Sequence, residues 1–166
     1  MIYQKPNNYG IDSKLLEIQK HLDSKLASKW KGIINIYGRI ERLTNGVEVF
    51  VKNTEYKNPF FDDKVSASIA FDVTGYDTTT NLKADVNLIV TVRLDKIYDN
   101  NNRDDQKSLL EVHKLLKYAG VLDIDGMQTG LDVVKDLGIE IKHREMQPWF
   151  VFSISFKTVF VNNSCK

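Results

Sequence analysis

The chain has 166 residues, of which 42% are hydrophobic and 27% are charged, with 23 Lys plus Arg against 22 Asp plus Glu. This length fits one domain, and the composition is that of an average globular protein rather than a disordered, collagen-like or membrane-spanning chain. The net charge of +1 argues against a general nucleic-acid or membrane-surface binder, because such proteins carry a field of one sign.

The cysteine content and the first residues bear on the cellular compartment. Cys165 is the only cysteine, so an intramolecular disulfide is impossible and a disulfide-stapled secreted fold is excluded. The first eight residues lack the apolar core of a signal peptide, and no apolar run approaches the ~20 residues that span a bilayer. We therefore expect a protein that is made in a cytoplasm and has no membrane partner.

The N-terminal third predicts an arm, a helix and a hairpin. Residues 1–10 are polar and contain a proline and a glycine, which predicts a flexible arm. A helix is expected to start at Asp12 or Ser13, since either side chain can act as an N-cap. Apolar residues at helical spacing predict one buried stripe: Leu15, Ile18, Leu22, Leu26 and Trp30. Asn45-Gly46 between two alternating segments, 34–40 and 47–51, then predicts a β-hairpin.

The rest of the chain predicts strands around a second helix. Alternating apolar residues predict half-buried antiparallel strands over 65–73 and 86–94, after a long loop over 53–64 and with a turn at 78–81 between them. Asp104 or Asp105 is expected to cap a helix that ends at Gly120. The remaining segments predict a loop over 121–130, a short helix over 131–137, and strands over 139–145 and 149–161.

These elements predict an α+β fold with a mainly antiparallel sheet and two main helices packed on one face of it. We expect a single domain over residues 1–166, with a flexible N-terminal arm over about 1–10 and a short C-terminal tail over about 162–166. The 15 Asp and 13 Asn against only 7 Glu agree with this, because Asp and Asn favour caps and turns over long helices.

The sequence offers few residues for catalysis or metal binding. His21, His113 and His143 show no ligand spacing, and His21 and His113 are expected to be packing residues on the predicted helices. No Cys/His arrangement surrounds Cys165. The acidic run 99–105 lacks the glycine and the twelfth-position glutamate of a calcium loop, and glycine-rich phosphate-binding motifs are absent. We therefore expect no catalytic, cofactor-binding or metal-binding residues and no cofactor.

One enzyme pattern remains as an alternative. Glu140 and Lys142 form a strand-like Glu-x-Lys, as in metal-dependent nucleases of the restriction-endonuclease-like fold, where carboxylates hold Mg²⁺ and the lysine positions water. Four acids lie upstream of this motif: Asp123, Asp125, Asp132 and Asp136. Lysines on the first predicted helix are expected to solvate its outer face rather than to follow a phosphate backbone: Lys14, Lys20, Lys25 and Lys29.

The order of elements carries a family resemblance. An amphipathic N-terminal helix precedes a hairpin, the long strand Asp85–Leu94 leads through a polar loop into the helix Asp105–Leu116, and a final strand covers Trp149–Val161. Over residues 12–161 this order resembles the tail-terminator and head–tail joining proteins of tailed bacteriophages. Proteins of that family are compact α+β subunits that form rings at the neck of the virion.

The resemblance implies a non-enzymatic structural virion protein, made in the host cytoplasm, that forms a homo-oligomeric ring as a head–tail connector or tail terminator. Its partners would be adjacent portal, neck or tail proteins, and DNA would pass through the ring without specific binding. Acidic loop residues would make the channel wall repulsive to DNA: Asp62, Asp63, Asp99, Asp104 and Asp105. The alternatives are a metal-dependent nuclease and a non-viral protein-binding α+β module.

Overall fold

A computed structural model describes residues 1–6, 8–78, 82–98, 104–139 and 148–161. Within these residues the chain forms nine strands: β1 (Ile2–Tyr3), β2 (Ile34–Arg39), β3 (Glu41–Leu43), β4 (Gly46–Lys52), β5 (Glu55–Lys57), β6 (Ala67–Asp77), β7 (Lys83–Arg93), β8 (Ile124–Thr129) and β9 (Trp149–Val159). The same residues form four helices: α1 (Ile11–Leu26), α2 (Leu94–Ile97), α3 (Asp105–Tyr118) and α4 (Asp132–Lys135).

The strands form a six-stranded sheet in the order β1-β2-β6-β7-β9-β8 and a three-stranded sheet in the order β3-β4-β5. The pairs β1–β2 and β2–β6 are parallel, and all other described pairs are antiparallel. The predicted α+β class with a mainly antiparallel sheet is confirmed. The predicted antiparallel pairing of the two alternating strands is also confirmed, with Ile69 opposite Val90.

Helices α1 and α3 cover one face of the large sheet with a continuous apolar core. Every member of the stripe predicted on the first helix is buried, from Leu15 at 0% exposed to Trp30 at 3%. Trp30 reaches this core from the turn after α1, because the helix ends at Leu26. The helix begins at Ile11, after Gly10 at φ 56°, so Asp12 and Ser13 lie inside its first turn rather than at the N-cap.

The opposite face of the large sheet is also buried, which the prediction of half-buried strands missed. Ser68, Ala70 and Asp72 point away from the helices along β6, yet each is at most 3% exposed. The β3-β4-β5 sheet and α4 cover this face with a second apolar cluster that contains Tyr37 and Val49. Alternation in the sequence correctly separated the two faces, but it did not reveal the layer that covers the more polar one.

Residues 2–3, within the predicted N-terminal arm, form a strand that pairs with the large sheet. Ile2 pairs in parallel with Ile36, which adds β1 to the edge of the sheet. The fully buried Gln19 of α1 donates hydrogen bonds of 3.1 Å to the carbonyl oxygens of Tyr3 and Ile36. A buried amide that satisfies both carbonyls stabilises this arrangement, because burying either group unpaired would be unfavourable.

Two segments predicted as loops contain edge strands. The loop over 53–64 contains β5, and the loop over 121–130 contains β8, which pairs with β9. Both strands lie at the edge of a sheet and carry polar or glycine residues, so they lack the apolar alternation on which the prediction depended. A hairpin is present at this position, but its first strand is β3 rather than the predicted segment 34–40, which is mostly β2 of the large sheet. Leu43 pairs with Gly46, so the turn residues are Thr44 and Asn45.

Several predictions fall outside the described residues. They include positions 79–81 of the predicted turn, 99–103 of the acidic loop, the C-terminal tail 162–166, and the strand predicted over 139–145 apart from Ile139. The short helix predicted over 131–137 is confirmed as α4. In the described part of the chain, no helix is both long enough and apolar enough to cross a membrane.

Candidate functional site

A concave surface with a volume of about 860 Å³ lies between α1 and α3, and we refer to it as the α1–α3 groove. Lys25 lies in the last turn of α1 and Lys29 just after it, while Lys107 and Lys114 lie seven residues apart on α3. All four lysines are exposed, because the helical repeat turns the apolar stripes of both helices inward and leaves these positions facing solvent.

Apolar side chains contribute to the groove beside the lysines. Leu110 is 53% exposed and Tyr118 is 71% exposed, and both line the groove with the buried Leu115. Large apolar side chains that cluster on a surface and are surrounded by charge are typical of an interaction site. The groove thus combines a cationic rim with an apolar floor.

A hydrogen-bonded carboxylate defines one end of the groove. Oε2 of Glu111 accepts hydrogen bonds from Trp30 Nε1 at 2.7 Å and from the Tyr98 hydroxyl at 2.8 Å. Lys29 Nζ lies 3.9 Å from Oε1 of the same side chain, and Lys107 Nζ lies 4.2 Å above the Tyr98 ring. Burial and the Glu111 carboxylate raise the pKa of Tyr98 above its usual range. Glu111 therefore joins α3 to the residues that follow α1 and α2.

Replacing Glu111 with Leu is expected to lower the free energy of unfolding by about 2–3 kcal/mol, because it removes a charged acceptor and leaves the buried Trp30 N–H unpaired. Glu111→Gln should lose less free energy of unfolding, since the amide oxygen of glutamine can still accept a hydrogen bond from Trp30. Glu17→Leu is the control, because Glu17 is exposed and its ion pair among the described residues is with Lys14 on the same helix. Urea denaturation measures the difference, and equal midpoints for the Glu111→Leu and Glu17→Leu variants would show that the contact contributes nothing.

Acidic residues gather at a different place, around β8 at the edge of the large sheet. Asp123 and Asp125 are exposed there, together with Leu122 at 53% and Met127 at 47% exposure. We refer to residues 122–127 as the β8 edge. Like the groove, the β8 edge combines charged with exposed apolar side chains, but its charge is negative.

The loop acids that were expected to face a DNA channel make contacts within the chain. Asp62 accepts hydrogen bonds from the Lys64 backbone N–H at 3.0 Å and from Lys57 Nζ at 3.1 Å, and these bonds lower its pKa. Three other described acids also have partners: Asp63 with Arg93, Asp104 with Lys107, and Asp105 with the Gln106 backbone N–H. Asp99 lies outside the described residues. Cationic partners therefore offset part of the charge of Asp62, Asp63 and Asp104, whereas a backbone hydrogen bond leaves the charge of Asp105 unchanged.

The remaining predicted candidates do not converge in the described part of the chain. Glu140, Lys142, His143 and Cys165 lie outside the described residues. Asp132 begins α4 and Asp136 follows it, whereas Asp123 and Asp125 belong to the β8 edge. Among the described residues, no group of three His, Cys, Asp or Glu side chains is arranged to hold a metal ion.

The two described histidines have different surroundings. His21 lines the groove, and its Nε2 is buried without a hydrogen-bond partner among the described residues. His113 lies on α3, where burial and the charge of Lys117 lower its pKa. Sequence reasoning had expected both to be packing residues at the edges of their apolar stripes.

Sequence reasoning missed the groove because it treated each helix separately. Lys25 and Lys29 were interpreted as solvating residues, and only the packing of α1 beside α3 brings them near Lys107 and Lys114. A weak signal was present, since Leu110 lies off the buried stripe of its helix.

No protein-family model, curated protein or solved structure matches the chain. The groove and the β8 edge are therefore the features from which a function is inferred.

Proposed function

We propose that this chain is a non-enzymatic structural subunit that assembles with copies of itself into a ring at the head–tail neck of a tailed bacteriophage. The observation that carries the proposal is the separation of charge between two surfaces. The α1–α3 groove presents four lysines, whereas the β8 edge presents Asp123 and Asp125. The net charge is only +1, but these positive and negative residues lie on different surfaces. This arrangement supports contact between the groove of one chain and the β8 edge of an identical chain.

Contact between two different surfaces of identical chains is heterologous, so each subunit can use one surface toward each neighbour. Such contacts produce a closed ring when the rotation between neighbours closes, and a filament when it does not. The assignment to a phage neck depends on the order of elements, in which a long strand leads into a helix that packs on the sheet. Contacts with portal, neck or tail proteins and the passage of DNA through the ring are part of this proposal.

Light scattering coupled to size-exclusion chromatography, followed by electron microscopy, tests the proposal on the purified full chain. The expected result is a closed particle whose mass is a multiple of 19.1 kDa and whose projection is annular. Mass spectrometry of the particles produced by the encoding genome should also detect the chain. A monomer at every concentration, together with absence from the particles, would contradict the proposal.

The same preparation tests the alternative enzyme. Cleavage of DNA that requires a divalent metal and is abolished by Glu140→Gln would replace the ring proposal with a metal-dependent nuclease. A folded chain that cleaves no DNA over a range of Mg²⁺ and Mn²⁺ concentrations would remove that alternative. Lys142→Ala provides a second variant, since the lysine of a Glu-x-Lys motif positions the attacking water.

A further inference from the structure

We infer that the α1–α3 groove of one subunit receives the β8 edge of the next copy of this chain. The inference rests on the proposed self-assembly and names the two surfaces that would meet. It is supported by the charges of both surfaces, by their matching apolar side chains, and by the shape of the edge strand.

The groove has positive charge available for a partner. Lys25 and Lys114 form no ion pair with any described residue, while Lys29 and Lys107 lie near carboxylates of their own chain, Glu111 and Asp104. The carboxylate of Glu111 is already occupied by two donors, Trp30 and Tyr98. A negatively charged side chain that enters the groove would meet the ammonium groups of Lys25 and Lys114, while Lys29 at 3.9 Å offsets part of the charge of Glu111.

The β8 edge offers the complementary groups. Asp123 and Asp125 form no ion pair within the described residues, and Lys157 on the neighbouring strand lies 4.0 Å from Asp85 instead. Leu122 and Met127 flank these acids and are about half exposed. They match the exposed apolar side chains in the groove, so docking would bury apolar surface on both subunits as well as pair charges.

The geometry of β8 favours docking through side chains over the addition of another strand. The pairing with β9 shifts register between Ile124 and Gly126, which places Asp125 in a β-bulge. A bulge and a charged side chain on an edge strand both oppose pairing with a further strand. The bulge leaves Asp125 exposed, where it can enter a groove on a neighbouring subunit.

Paired charge reversals on the full chain test the contact. The groove variant is Lys25→Glu with Lys114→Glu, and the edge variant is Asp123→Lys with Asp125→Lys. Each should weaken self-association by about a hundredfold or more and shift the mass toward 19.1 kDa, because like charges would then face each other. The fourfold variant that carries both reversals should regain assembly, as should an equimolar mixture of the two double variants.

A matched control separates the contact from general charge effects. Lys20→Glu with Lys117→Glu makes the same change in net charge on the same two helices, at exposed positions that do not line the groove. This variant should assemble like the unchanged chain. Circular dichroism and urea midpoints are measured for every variant, so that a loss of assembly is assigned to the interface only when the fold is retained.

The outcomes distinguish this inference from the function on which it rests. An oligomer that is unaffected by either reversal, or a folded fourfold variant that stays dissociated, overturns the contact between groove and edge and leaves self-assembly intact. An unchanged chain that remains monomeric at every concentration overturns this inference, and its absence from the particles as well overturns the proposed function. Restored assembly in the fourfold variant supports the contact, because general disruption of either surface would not be reversed by disrupting the other.

Discussion

Replacing Arg42 with Ala is expected to lower the free energy of unfolding by about 3 kcal/mol, because it leaves the buried carboxylate of Asp72 without its cation. Arg42 Nη2 lies 2.5 Å from Asp72 Oδ2, and Nε lies 3.3 Å from Oδ1. The Asp72 side chain is only 5% exposed, whereas that of Arg42 is about half exposed. Arg42 also donates to the carbonyl oxygen of Asp136, so it joins the small sheet, β6 and the end of α4.

The controls for this prediction use the same kind of residue and the same pair. Arg39→Ala should cost less than about 1 kcal/mol, because Arg39 is exposed and its carboxylate partner Asp12 lies 3.4 Å away at the surface. Adding Asp72→Ala to Arg42→Ala should recover part of the loss, since no charge is then left unpaired. Chemical denaturation measures the free energy of unfolding of the unchanged chain and of the three variants. Equal losses for Arg39→Ala and Arg42→Ala would contradict the importance of the buried carboxylate.

Replacing Leu22 with Ala is expected to lower the free energy of unfolding by about 3–4 kcal/mol. Leu22 is fully buried on α1 within the core between the helices and the large sheet. The loss combines the transfer energy of the removed atoms with the cavity left behind, because a sheet and two helices cannot collapse freely into the space. Thermal or urea unfolding measures this loss.

Leu110→Ala is the matched control, since it makes the same chemical change on α3 at a side chain that is 53% exposed. Its unfolding free energy should change by less than about 0.5 kcal/mol. If the groove binds another subunit, however, the self-association of this variant should weaken while its stability is retained. A loss of stability as large as that of Leu22→Ala would show that Leu110 belongs to the core rather than to an interface.

The elements that the sequence predicted well are those whose pattern is local. The stripe from Leu15 to Leu26 repeats at helical spacing, and the strand that contains Phe152 alternates over eleven residues, so each pattern identifies its own element. The β3–β4 hairpin was predicted from the Asn45-Gly46 turn signal, and Gly46 has φ 128° although the turn residues are Thr44 and Asn45. In all three cases the physical cause lies within one short segment of the chain.

The elements that the sequence missed depend on contacts between distant segments. Gln19 holds β1 beside β2 by donating hydrogen bonds to a backbone carbonyl of each strand. Nothing in the local sequence around a polar helix residue predicts such a contact. The burial of Asp72 depends on Arg42, which is 30 residues away in sequence. The groove likewise needs Lys25 from one helix and Lys114 from another, and no spacing within either helix predicts their proximity.

The central position of β7 has a consequence for how the molecule can open. β7 is hydrogen-bonded to β6 on one side and to β9 on the other along nearly its whole length, whereas β8 is bonded to β9 through one short ladder. Local opening at β8 therefore breaks far fewer bonds than opening at the centre of the sheet. The strand that would meet a neighbouring subunit can thus adjust its shape while the amides of β7 stay protected from exchange with solvent.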